Sequence, residues 1–182
     1  MKEYQIVLPL ANSEILLQMS VGDKVYISGE LLVFRDQVHK KIVSGDVTSE
    51  ITMMLYNSGI YYCAATPAKE GFVIGSCGPT SSYRMDVFTE PLLKMGVKLM
   101  IGKGYRTDKV VNLCKQYKSL YLITYGGCGA LLNKYVKSVE LVAYPELETE
   151  AMYKFIVKNF PSIVAIDTKG GTIWQFAKQL VF

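Results

Sequence analysis

One histidine, His39, one tryptophan and no Cys-x-x-Cys pair leave this 182-residue chain without the usual vocabulary of a metal site. Its four cysteines, Cys63, Cys77, Cys114 and Cys128, are far apart and set mostly among small or apolar neighbours. By itself that pattern makes no zinc or iron–sulfur signature and favours reduced, buried thiols. Cys77, directly before a Gly-Pro-Thr loop, is the one placed to line a site. No apolar run approaches the roughly 18 residues of a membrane span, and Met1-Lys2-Glu3 leads into strand-like residues, not a secretory leader. A cytoplasmic protein is expected. There is no basic block or arm: 20 basic and 16 acidic residues give +4 spread along the sequence, so nucleic acid is not implied as a partner. No linker, low-complexity tract or repeat divides the chain, and a 50% apolar fraction suffices for one sizeable core, so residues 1–182 are expected to form a single domain.

What the chain does have is alternation. Tyr4–Pro9, Glu14–Met19 and the long run Lys24–Phe34 predict a β-rich start, with Gly29 suited to a bend or bulge. Arg35 and Asp36 open a short amphipathic helix, with Val38 and Ile42 on its apolar side and Asp36 as its N-cap. Ile51–Tyr56 has mixed periodicity. Ile60–Ala64, Gly71–Gly75, Val97–Ile101, Leu120–Tyr125 and Val139–Ala143 read as further strands, and Met152–Val157 and Ile163–Asp167 as two β segments before a closing amphipathic segment through Trp174. Helices are expected after Thr80, interrupted at Pro91 and ended by Gly96, and again from a cap at Thr107 or Asp108. Strand followed by helix, repeatedly, predicts an α/β fold with parallel strands and right-handed crossovers.

Three junctions share one layout, a strand running into a helix with a cation between them. They are Arg35-Asp36, the stretch Gly78-Pro79-Thr80-Ser81-Ser82-Tyr83-Arg84-Met85-Asp86, and Gly102-Lys103-Gly104. In open α/β sheets ligands gather beyond the carboxyl ends of strands, where loops feed helix N-termini. The loop before Arg84 should present backbone N–H groups and hydroxyls together, and a guanidinium grips a carboxylate through two parallel hydrogen bonds. Taken singly, each cation is ordinary surface decoration and Gly-Pro-Thr-Ser an ordinary capped turn. Gly-Lys-Gly is too short for a P-loop. Converging, Arg35, Arg84 and Lys103 with the Thr80 hydroxyl would suit a small dicarboxylate, and such a cation set is unfavourable until anions enter. The chain shows no metal cage and no nucleophile with its base, so chemistry would have to be completed from elsewhere.

These blocks, in this order, resemble the C-terminal domain, or β subunit, of the class I iron–sulfur hydro-lyases: the oxygen-sensitive fumarases and L-tartrate dehydratases. The likeness covers nearly the whole chain. It is carried by Ser28-Gly29, Arg35-Asp36-x-x-His39-Lys40, Gly78-Pro79-Thr80-Ser81 to Asp86, Ile101-Gly102-Lys103-Gly104, Gly126-Gly127, and Phe160-Pro161 to Asp167. It implies a single swivelling β/β/α domain with a mixed sheet and flanking helices, supplying half of an active site. It also implies a hetero-oligomer whose α subunit carries a [4Fe-4S] cluster on three cysteines, a Lewis acid toward the substrate, with no cluster on this chain. The family's dicarboxylate-binding arginines fall on Arg35 and Arg84, its binding lysine on Lys103, and the threonine proposed to move a proton at carbon on Thr80. A threonine hydroxyl is a poor base unless neighbouring charge lowers its pKa. The implied reaction is reversible hydration of fumarate to malate. L-tartrate dehydration and a stand-alone anion-binding module are the alternatives. The chain departs from the family's pattern at Tyr83, where many relatives have a small residue, and at Tyr62-Cys63-Ala64-Ala65, which lacks a glycine-proline pair.

Overall fold

The computed structural model describes residues 1–175; the part of the closing amphipathic segment that runs into 176–182 lies outside the described residues. Seven strands, β1 (Glu3–Leu8), β2 (Lys24–Val33), β3 (Gly59–Tyr61), β4 (Leu99–Gly102), β5 (Leu120–Ile123), β6 (Val136–Ala143) and β7 (Met152–Ile166), form one mixed sheet in the order β1-β2-β3-β4-β5-β7-β6. Strands β1 to β5 pair in parallel, and β7 runs antiparallel to β2, β5 and β6. Because β7 also pairs with β2, from Lys24↔Ile163 to Val33↔Tyr153, the pairings close a ring through β2, β3, β4, β5 and β7.

Period-two alternation then sorts the apolar residues into two cores on opposite faces of the sheet. Leu31, Val33, Tyr61, Leu99, Ile101, Leu122 and Phe160 belong to one. Their neighbours Leu32, Phe34, Ile60, Tyr62, Met100 and Tyr121 belong to the other, where they meet the buried residues of α1 (Asp36–Val43), α2 (Ser49–Leu55), α3 (Asp86–Lys94) and α4 (Asp108–Tyr117). The helices therefore cover one face. A short α5 (Gly129–Leu132) follows β5, and its Leu132 belongs to the first core. At Gly29, φ +90° and a register shift in the β2–β7 pairing mark the expected irregularity, and a Cβ there would collide with the Leu8 carbonyl of β1. No helix among the described residues is long and apolar enough to cross a membrane.

Several elements differ from the sequence expectation. Glu14–Met19 is no strand: Ser13–Gln18 winds as a 3-10 helix, started by the Asn12 side chain accepting from the Glu14 N–H at 2.8 Å. Gly71–Gly75 is a loop, because its backbone bonds stay local and do not reach the sheet: Phe72 N–H to the Lys69 carbonyl at 3.0 Å and Gly75 N–H to the Thr66 carbonyl at 3.1 Å, with Thr66 N–H closing on the Ser76 carbonyl at 3.0 Å. Ile51–Tyr56 falls largely in α2, whose cap Thr48 accepts from Ile51 N–H at 3.2 Å. The two β segments near the end are one strand, β7, with Asn159 at φ +54° absorbing the bend. The helical stretch after Thr80 divides at Met85/Asp86, a 3-10 turn (Ser82–Met85) leading into α3, and not at Pro91. Proline deprives only the Val87 carbonyl of its partner, and Val87 is exposed to water.

Candidate active site

Arg35, Thr80 and Lys103 lie on the segments that leave the carboxyl ends of the parallel strands β2, β3 and β4. Short bonds tie these segments together. Thr80 N–H donates to the Tyr62 carbonyl at 2.7 Å, and Tyr62 N–H to that of Ile101 at 2.9 Å. Ser82 N–H donates to the Lys103 carbonyl at 3.0 Å, and Lys103 N–H returns a bond to Ser82 Oγ at 3.1 Å, making Ser81 and Lys103 a parallel bridge. A Cβ on Gly102 would collide with the Ser82 hydroxyl, so glycine is what lets that hydroxyl reach across. The Gly-Pro-Thr and Gly-Lys-Gly blocks are thus two halves of one interlock. A consequence corrects the sequence reading: the N–H groups of Thr80 and Ser82 are consumed inside the protein and not offered to a ligand, and Ser81, at the N-cap of the 3-10 turn, makes no side-chain cap bond.

The fourth residue joins from the side. Arg84 Nη2 donates to Asp36 Oδ2, which places its guanidinium against the residue next to Arg35. Asp36 therefore is not the N-cap of α1. Arg35 holds that position, and the Asp36 carboxylate, in the first turn, is spent on Arg84. Arg35 in turn donates from Nε to Glu150 Oε1 at 2.8 Å. Two of the three cations so have an acidic partner, which relieves the repulsion expected of an empty cluster. Lys103 has no ion pair among the described residues; its side chain runs beside Gly126, whose absent Cβ would lie 3.5 Å from Lys103 Cδ.

His39 orders the Arg35 end. Its ring Nδ1 lies 2.8 Å from the Arg35 carbonyl, which also accepts the His39 N–H at 3.1 Å. The ring is fully buried among Phe34, Tyr62 and Phe88, and Nε2 has no hydrogen-bond partner. Burial, aided by the nearby Arg106 charge and opposed by the bond to Arg35, pulls its pKa down to about 4. His39 is neutral at pH 7 and acts on Arg35 through the backbone.

Sequence reasoning missed Arg106. It is fully buried, with Nε donating to Asp86 Oδ1 at 2.5 Å, Nη2 to Thr89 Oγ1 at 2.6 Å, and its plane facing the rings of Tyr121 at 5.0 Å and Tyr62 at 5.6 Å. The other Asp86 oxygen accepts from Thr107 N–H at 2.9 Å and Thr107 Oγ1 at 2.6 Å. Burial opposes the charged guanidinium, but Tyr62 and Asp86 outweigh it and leave the pKa raised. The one available signal was an arginine three residues after Lys103 with an aspartate two after Arg84.

The cysteines do not fit a cluster site on this chain. Cys63 and Cys77 sit in one core and Cys114 in the other, and burial pushes the thiols of Cys77 and Cys114 up to about 11. Cys77 packs in the core and does not line the candidate site, with Sγ 3.7 Å from the Gly129 carbonyl. Cys128, expected buried, is exposed beside Gly126-Gly127. No group of three or more His, Cys, Asp or Glu side chains able to hold a metal ion occurs among the described residues.

A mixed sheet whose parallel strands β2, β3 and β4 lead, at their carboxyl ends, into the segments of Arg35, Thr80 and Lys103 defines an α/β domain. The chain belongs to the Fumarase C-terminus family, which it matches over residues 2–177. It is 35% identical over 168 residues to the aerobic class I fumarate hydratase of Escherichia coli (strain K12), covering 89% of this chain and 31% of that one. Fumarate hydratase 2 of Leishmania major is 35% identical over 163 residues, 88% of this chain and 29% of its own. The L(+)-tartrate dehydratase subunit beta of Escherichia coli (strain K12) is 32% identical over 173 residues, 92% of this chain and 85% of its own. The chain thus spans about a third of the fumarate hydratases it matches.

Proposed function

We propose that this chain is the β subunit of a hydro-lyase that binds and orients a four-carbon dicarboxylate for reversible hydration of fumarate to malate, its partner being an α subunit that bears a [4Fe-4S] cluster. The observation that carries the reading is the bonded edge on which the Arg35, Thr80, Arg84 and Lys103 segments meet. Names support it too: the relatives are fumarate hydratases and a dehydratase subunit beta.

In this reading Arg35 keeps Nε on Glu150 and turns its two Nη groups, a bidentate fork, toward one carboxylate. Arg84 and Lys103 take the other end. Thr80, its N–H fixed to Tyr62 and its carbonyl 3.4 Å from Ser82 Oγ, holds its hydroxyl near the carbon that gains a proton in hydration and loses one in dehydration. Positive charge from Arg84 and Lys103 favours the deprotonated alcohol. The cluster, when the partner supplies it, would add Lewis acidity at the substrate's hydroxyl and carboxylate.

The test is anaerobic co-expression with a candidate cluster-bearing subunit, followed by turnover of fumarate, malate and L-tartrate. Fumarate and malate are expected to interconvert, and the chain alone to be inactive. Turnover of tartrate only would move the assignment to the dehydratase. No turnover of any of the three, with tight binding of an unrelated phosphate ligand by the chain alone, would replace it with the stand-alone anion module.

A further inference from the structure

We infer that the buried Asp86–Arg106 pair is a positioning device that sets the separation of Arg84 and Lys103, an inference that rests on the reading of those two cations as substrate ligands. The pair ties the two cation-bearing segments a second time, beyond the Ser82–Lys103 interlock. Asp86 lies two residues after Arg84 and begins α3, while Arg106 lies three residues after Lys103 in the segment between β4 and α4. One carboxylate spans the gap, taking Arg106 Nε on Oδ1 and both the N–H and hydroxyl of Thr107 on Oδ2.

Stability alone does not account for it. A guanidinium with no exposed surface is costly to desolvate, and well-packed apolar residues in such places are often neutral or stabilising. What apolar residues cannot supply is direction. Arg106 is held on each side by a different element: Asp86 and Thr89 of α3 through hydrogen bonds, Tyr62 from beyond β3 and Tyr121 of β5 through their ring faces. That leaves the 103–107 segment one position relative to α3. Arg84 is held by Asp36, and Lys103 has no ion pair among the described residues, so the separation of the two is set by the backbone segments that carry them. The clamp fixes these segments at one point, and the Ser82–Lys103 interlock registers their backbones at another.

The test compares the wild-type chain with the apolar double replacement Asp86→Leu/Arg106→Met, by thermal unfolding and by hydrogen exchange at the Ser82 and Lys103 amides, and then by fumarate kinetics in the co-expressed complex. Expected are a folded protein with a thermal midpoint near wild type, exchange at both amides at least tenfold faster, and a KM for fumarate raised at least tenfold with a much smaller change in kcat. Wild-type exchange and wild-type KM in the folded variant would overturn the inference. If the double variant does not fold, Arg106→Lys, which keeps the charge but loses the fork, is read the same way. Should the wild-type complex turn over neither fumarate nor tartrate, the proposed function fails on its own, and exchange at the two amides alone decides whether the clamp sets the loop.

Discussion

Two arginine–aspartate pairs stand within a few residues of each other and do opposite work. The Arg84 side chain is 45% exposed and holds Asp36 through one nitrogen; the Arg106 side chain is 0% exposed and is saturated by Asp86, Thr89 and two aromatic faces. In the proposed function the exposed Arg84 guanidinium turns toward a ligand without leaving Asp36, whose side chain is only 11% exposed. The second pair is closed to any ligand, and removing either member strands a charge in the interior. Exposed charge for a ligand and fixed charge behind it are what a site needs if it is to bind and still keep its shape.

Single replacements should separate the two pairs sharply. Arg106→Ala, which leaves the Asp86 carboxylate without its buried partner, is expected to cost about 3–5 kcal/mol of stability in denaturant unfolding; a loss no larger than that of Arg84→Gln would place Arg106 with Arg84. His39, the neutral member of the Arg35 end, should show itself through pH. The folded protein keeps it unprotonated down to about pH 4 while the unfolded chain takes a proton below 6.5, so stability falls as pH drops across that window. The fall is on the order of 3 kcal/mol, and His39→Phe should flatten this part of the pH–stability curve.

Arg84→Gln is expected to cost about 1–2 kcal/mol of chain stability, because the Asp36 carboxylate, only 11% exposed, loses a charged partner and keeps the favourable first-turn position of α1. The same change should lower kcat/KM of the complex for fumarate by roughly 100-fold, about 2.7 kcal/mol. Gly102→Ala pushes a Cβ into the Ser82 hydroxyl and should cost about 1–3 kcal/mol, with faster exchange at the Lys103 amide. Smallest of all, Glu150→Gln should shift unfolding by less than about 1 kcal/mol, the measure of a partly exposed ion pair.

The segments of the proposed rim were legible in the sequence and the buried pair behind them was not. Arg35, Thr80, Arg84 and Lys103 sit in glycine- and hydroxyl-rich junctions after apolar runs, a local pattern, and the strands before three of them do run parallel to one edge. The pairing of Arg106 with Asp86 had no local sign beyond their places after Lys103 and Arg84, because it joins α3 to a segment beyond β4 at a sequence separation of 20. The same limit explains the strand errors. Gly71–Gly75 has the composition of a strand, but where its backbone bonds go is decided by Thr66, and Met152–Ile166 reads as two segments because Asn159 bends one long strand. The closure of the sheet through β2 and β7 was likewise invisible to residue patterns, depending on pairing between residues 24–33 and 153–163.

A double-mutant cycle of Arg84→Gln and Lys103→Gln, read as kcat/KM for fumarate in the co-expressed complex, tests most directly whether these side chains serve one substrate. If they do, the two losses are strongly non-additive, with a coupling energy above about 1 kcal/mol. Losses that simply add, or no loss in either single variant, would contradict a shared dicarboxylate site.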